Sequence, residues 1–322
     1  MNLLRSIGVL LGLALSALAW AADDSSVPPA VTAPSLNPTP KKEFEWSDVG
    51  NTPYRAARLD PRMLYTLFVP RNYDEYGTKE YWLIVVVHGT ERDAAGYRSR
   101  YAKFAEDHDA IVLAPLFAAN TQQSNDLENY KLIDFQNTRY DLVLLSMVDE
   151  VAAKYRLRDQ RFLMFGFSGG GHFAHRFLYL HPHRLMGVSI GAPGVVTLLD
   201  DKSDWWIGVR DVLPRFGVKM NLPAMRKVPV QMVVGANDNV EIPGDIDKAS
   251  AYWMGEGVKG AHFNAAGKSR VDRMVNLKRS FEAAGINVRH DIVPGAAHES
   301  EKLDAQVQDF FGKILERASK AR

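Results

Sequence analysis

The chain has no cysteine. That absence excludes disulfides, thiolate metal sites and cysteine nucleophiles together, and with them a lipid anchor built on an N-terminal cysteine. No charge of one sign predominates: 39 Lys and Arg stand against 38 Asp and Glu. With no basic stripe and no acidic tail, nucleic acid and anionic membrane are poor partners. No Gly-x-Gly-x-x-Gly follows a strand pattern and no phosphate loop is present, so no organic cofactor is expected. Long apolar runs are scarce. Ile7 to Leu18 is one, short of the roughly 20 residues that a membrane span needs. It follows Arg5 and precedes Ala19-Trp20-Ala21, a small-x-small cleavage pattern. We therefore expect residues 1–21 to be a signal peptide, the mature protein to be periplasmic or secreted, and no stable membrane anchor to remain after cleavage.

What is present suits a folded core: 322 residues, 46% hydrophobic and 24% charged. Residues 22–43 carry Pro28, Pro29, Pro34, Pro38 and Pro40 among small polar residues and read as an extended linker. Residues 44–322 read as one domain, without repeats.

Within that domain strand and helix patterns alternate. Leu64, Thr66 and Phe68 alternate with Tyr65, Leu67 and Val69, the pattern of an outer strand. Tyr81 to Val87 is a continuous apolar run, as expected of a strand covered on both faces. A helix is expected over Tyr97 to Asp107, a strand over Ala110 to Ala114 ending at Pro115, and a long polar loop over Leu116 to Gln136. Tyr140, Leu144, Met147, Val148, Val151 and Tyr155 fall on one face of a helix over Thr138 to Tyr155. Further strands are expected around Phe162, over Leu185 to Ile190, Val230 to Val234 and Asn287 to Val293. Helices are expected over Arg270 to Ala284 and Glu301 to Ala318. This alternation predicts an α/β fold with a mostly parallel sheet and helices on both faces. Reactive groups in such a sheet gather at the carboxyl ends of the strands.

Three chemical groups sit at three such ends. Gly166-Phe167-Ser168-Gly169-Gly170 is a Gly-x-Ser-x-Gly elbow between a strand and a helix, a turn that lifts the serine hydroxyl clear of the backbone. A neutral serine needs a base, and His298 follows the last strand in a small-residue loop. The base needs a carboxylate to fix its tautomer, and Asp238 follows the penultimate strand. The competitors are Glu241, Asp245 and Asp247 for the acid, and His262 and His290 for the base. His290 sits inside a strand pattern and reads as structural. Ser168 itself has a plain alternative, a turn serine in a glycine-rich loop. The attacked carbonyl oxygen needs donors, for which the amides of Gly169 and of Thr90, in His88-Gly89-Thr90 after the Val87 strand, are the candidates. His88 is expected to shape that loop, or to border the substrate. His172 and His175, three apart on the helix after the elbow, lack a third ligand, so no metal site is expected.

With the Gly166–Gly170 elbow, His88-Gly89-Thr90, Asp238 and His298 in this order, the chain resembles the α/β-hydrolase superfamily. More narrowly it is similar to secreted esterases grouped with polyhydroxybutyrate depolymerases and feruloyl esterases, over about Arg55 to Ala318. The resemblance implies a catalytic triad of Ser168, Asp238 and His298 acting on a small-molecule or polymeric ester. It also implies a small cap inserted between the serine helix and the acid strand, at about residues 193–228. Trp205 and Trp206 in that cap, with Phe216, either pack it onto the core or line a substrate pocket; Tyr252 and Trp253 form a second aromatic cluster. The same fold hosts enzymes that cleave amides, peptides, polyesters and polyamides, and a binding protein without turnover is the remaining alternative.

Overall fold

The computed structural model describes residues 44–124, 126–240 and 266–320. The expected signal peptide and linker, and Glu241, Asp245, Asp247, Tyr252, Trp253 and His262, lie outside the described residues.

The strands are β1 (Gly50–Asn51), β2 (Arg55–Ala56), β3 (Leu64–Val69), β4 (Trp82–Val87), β5 (Ala110–Leu116), β6 (Asp134–Phe135), β7 (Thr138–Arg139), β8 (Phe162–Phe167), β9 (Leu185–Gly191), β10 (Val230–Gly235) and β11 (Val288–Val293). The main sheet runs β1-β3-β5-β4-β8-β9-β10-β11, with β2 on β3. From β5 to β11 all neighbours are parallel, while β1, β2 and β3 pair antiparallel. β4, β8, β9 and β10 are buried along their whole length. That is why their sequences are apolar runs rather than alternations.

The larger helices are α1 (Ala94–Asp107), α2 (Tyr140–Lys154), α3 (Gly169–Leu180), α6 (Arg270–Ala283) and α7 (Asp304–Lys320); the short α4 (Val212–Phe216) and α5 (Leu222–Met225) lie in the cap segment. α1 and α7 share one face of the sheet, tied by Arg100 to Asp304 at 2.7 Å. α2, α3 and α6 share the other. His181 at the end of α3 bonds Asp141 of α2 at 2.7 Å, and Tyr179 of α3 packs on Phe281 of α6.

The order of connection positions the site. The chain leaves β4 through α1 to β5 on one side, then returns through α2 to β8 on the other. β4 and β8 are thus adjacent strands whose following segments diverge, which opens a crevice at their carboxyl ends. The His88-Gly89-Thr90 loop and the Ser168 elbow both emerge there.

Three local expectations are corrected. β5 does not stop at Pro115, which pairs with Tyr65 of β3. The ladder to β4 ends at Leu113, so a residue without an N–H is tolerated beyond it. β3 is not an edge strand: five of its six residues are buried on both faces, between β5 and the short β1 and β2. Thr138 and Arg139 are not helical. They form β7, paired with β6 across Gln136 and Asn137, both at positive φ (46° and 65°). That is the geometry of a tight hairpin turn built without glycine.

Candidate active site

Ser168 sits between β8 and α3 at φ 53° and ψ −111°. A residue with a Cβ is strained there, and strain of this kind holds only where the surroundings enforce it. Here Ser168 N–H donates to Gly191 O at 2.8 Å, and the glycines permit the close approach. A Cβ on Gly166 would collide with the Gly170 carbonyl, and one on Gly170 with the Val87 and His88 carbonyls. Helix α3 therefore packs directly on the backbone of β4 and β8.

The loops that carry Asp238 and His298 are joined by their backbones. Ala236 N–H donates to Val293 O at 2.9 Å and Asn237 N–H to Ala296 O at 2.8 Å. Gly235 has no room for a Cβ against the Ala296 and Ala297 carbonyls. As a result Asp238, which is 2% exposed, places Oδ2 2.6 Å from His298 Nδ1, and His298 Nε2 lies 3.0 Å from Ser168 Oγ. The structure thus brings all three sequence-predicted residues into one hydrogen-bonded chain. His290 stays within β11, away from it.

The two candidate donors follow adjacent strand ends. β4 pairs with β8 through Val87 and Gly166, so the loops that follow start side by side. Among the described residues the amides of Thr90 and Gly169 have no hydrogen-bond partner; that of Gly169 is one of the first N–H groups of α3, which a helix leaves unsatisfied. The carbonyls of the first loop are engaged by side chains. Tyr130 Oη donates to His88 O (3.1 Å) and Gly89 O (2.9 Å), and Arg92 donates to Thr90 O (2.8 Å).

His88 is fully buried. Its Nδ1 bonds Gly89 O at 2.7 Å, its Nε2 accepts from Phe117 N–H at 3.1 Å, and burial pushes its pKa down to about 3. It is a neutral strut of the loop. His172 and His175 are likewise buried and held neutral by desolvation. They accept from Val195 N–H and Thr197 N–H, both at 3.0 Å, and so pin the segment after β9. No group of three or more potential metal ligands occurs among the described residues.

Trp205 and Trp206 are buried, and their described contacts run to the core. Trp205 Nε1 donates to Leu132 O at 2.9 Å and its ring meets Phe216 at 4.8 Å. Both rings cover the guanidinium of Arg176, whose centre lies 5.9 Å and 5.3 Å from them. Arg176 is wholly buried, and desolvation lowers its pKa to about 9.

The sequence reading missed three neighbours of the elbow. Tyr130 and Lys131 lie in a buried 3-10 turn, Asn129–Leu132, inside what reads as a polar loop. Lys131 pairs with Glu128 at 2.5 Å; burial depresses the lysine pKa and raises the glutamate's, and each offsets the other's desolvation. Tyr130 Oη and Lys131 Cε occupy the space where residue 169 would carry a side chain, so any side chain there must displace them. The third, Arg270 on α6, donates from Nη1 to Asp238 Oδ1 at 3.2 Å. Only the apolar Tyr130 and Leu132 within the loop signalled its burial.

No protein-family model matches the sequence, and no curated protein matches it. Solved structures do share its architecture. Poly(aspartic acid) hydrolase-1 from Sphingomonas sp. KT-1 superposes with a TM-score of 0.59 at 18% identity, covering 77% of this chain and 92% of that one. A poly(3-hydroxybutyrate) depolymerase from Bordetella parapertussis gives 0.59 at 18% identity, covering 77% and 83%. A ferulic acid esterase gives 0.55 at 14% identity, covering 82% and 97%. The likeness is one of fold, and the chain has the α/β-hydrolase fold, with a mixed central sheet flanked by helices.

Proposed function

We propose that this protein is an exported serine hydrolase that cleaves carboxylic esters through an acyl-enzyme on Ser168. The observation that carries the reading is the single imidazole of His298, 3.0 Å from Ser168 Oγ on one side and 2.6 Å from Asp238 on the other. In this mechanism His298 Nε2 takes the hydroxyl proton as Oγ attacks the ester carbonyl. Asp238 holds the Nδ1–H tautomer and stabilises the imidazolium. The oxyanion is received by the amides of Gly169 and Thr90. His298 then protonates the leaving alcohol, the acyl-enzyme forms, and the same base activates water to release the acid. Export rests on the signal-peptide pattern of residues 1–21.

Amide cleavage is the second reading, because a poly(aspartic acid) hydrolase shares the fold and its polymer is a polyamide. The poly(3-hydroxybutyrate) depolymerase and the ferulic acid esterase stand on the ester side. Turnover of matched aryl esters and anilides by the purified mature protein separates the two. A fluorophosphonate probe is expected to label Ser168 and to leave the Ser168→Ala variant unlabelled. A folded wild-type protein that takes no label would remove both readings in favour of a binding protein.

A further inference from the structure

We propose that Arg270 is a positioning residue for the reaction, holding the Asp238 carboxylate in the orientation that meets His298. The inference rests on the serine-hydrolase reading and adds a fourth member to its constellation.

Arg270 is the first residue of α6. Ser269 caps that helix through a reciprocal capping box with Asp272. A cation in the first turn opposes the helix dipole, so helix stability gives no reason for arginine there. The carboxylate gives one. Asp238 presents Oδ2 to His298 Nδ1 and Oδ1 to Arg270 Nη1, one partner for each oxygen among the described residues. Two partners on separate oxygens fix the rotation of the carboxylate, which a lone hydrogen bond does not. Arg270 is also held there with a buried Nε that has no partner among the described residues. Its backbone is fixed by Arg273, one turn along and fully buried, which donates to Gly267 O at 2.9 Å and to Gly194 O.

Arg270 and His298 share the single negative charge of Asp238, so without the guanidinium Oδ1 loses the partner that holds the carboxylate in line with the imidazole. Among the described residues, few groups from other elements face the imidazole. β8 brings the Phe167 ring and the elbow brings the Ser168 hydroxyl. The acid loop brings Asp238, and α6 stands behind it with Arg270. On the base's own loop Glu299 is paired with Lys302 at 2.8 Å.

The test is the rate of fluorophosphonate labelling of Ser168, measured beside the urea midpoint, in wild type, Arg270→Gln, Arg270→Met and Arg270→Lys. In both neutral variants the labelling rate is expected to fall about tenfold, the equivalent of one hydrogen bond to a charged group, with little change in the midpoint. Arg270→Lys, which keeps a charged donor, is expected to restore most of the rate. Neutral variants that fold and label at the wild-type rate overturn the proposal; so do neutral variants that lose the fold, which would make Arg270 a purely structural residue. A wild type that takes no label defeats the hydrolase reading instead, and that outcome is distinct from either.

Discussion

The imidazole of His298 lies against the ring of Phe167, with centroids 4.6 Å apart and planes inclined by 32°. Phe167 is the last residue of β8 and Ser168 is its neighbour, so one strand end delivers both the hydroxyl and the wall behind the base. The wall restricts the imidazole to the orientation that meets Oγ. Phe167→Leu preserves most of the volume and should destabilise the fold by about 1 kcal/mol. It removes the flat backing, and, for the hydrolase proposed above, kcat/KM on a cleavable aryl ester should fall about tenfold through misorientation. Unchanged kinetics with a lowered melting temperature would reduce Phe167 to a packing residue.

The backbone of Ser168 yields a second expectation. Its φ of 53° with ψ of −111° suits glycine and strains any residue with a Cβ. Ser168→Gly and Ser168→Ala should both lose labelling, but they should differ in stability. The glycine variant should be the more stable by about 1 kcal/mol, because relief of strain outweighs the added freedom of its unfolded chain. Urea denaturation of the two variants measures this, and an alanine variant of equal or greater stability would mean the elbow stores no strain.

Buried imidazoles make stability depend on pH. His88, His172 and His175 are at most 4% exposed and are held neutral by desolvation. In the unfolded chain each takes a proton near pH 6.5, while in the folded protein each resists protonation to much lower pH, about 3 for His88. The unfolded state therefore binds more protons below pH 6.5. Stability is full above that value and falls as the pH drops, by about 1.4 kcal/mol per unit for each histidine, or about 4 kcal/mol per unit for the three as pH 5 is approached. Urea midpoints at pH 7, 6 and 5 report the slope, and His175→Gln should remove about a third of it. A stability that stays level over this range would contradict the buried, neutral assignment.

Much of this architecture is legible in the residues themselves. Doubly covered strands such as Trp82–Val87 and Val230–Gly235 read as unbroken apolar runs, and the glycines around Ser168 announce a tight turn. Less legible are features in which neighbours, rather than local preference, decide. The β6–β7 hairpin turns through Gln136 and Asn137 without a glycine to mark it. The polar segment around Tyr130 and Lys131 is buried because the cap and α3 close over it. Trp205 and Trp206 fit a substrate pocket or a packed cap equally well until Arg176 is seen beneath them. Arg270 reads as an ordinary surface charge on a helix.

The sequence by itself determined which short stretches extend, coil or turn, and which chemical groups stand at strand ends, because backbone sterics and hydrophobic periodicity act over a few residues. The tertiary structure alone decided which of those groups meet. Ser168 and His298 are 130 positions apart, and their contact depends on β8, β9, β10 and β11 lying side by side in that order. Strand order is set by the packing of whole faces against helices and by the route of each crossover, and no single stretch of the chain contains that information.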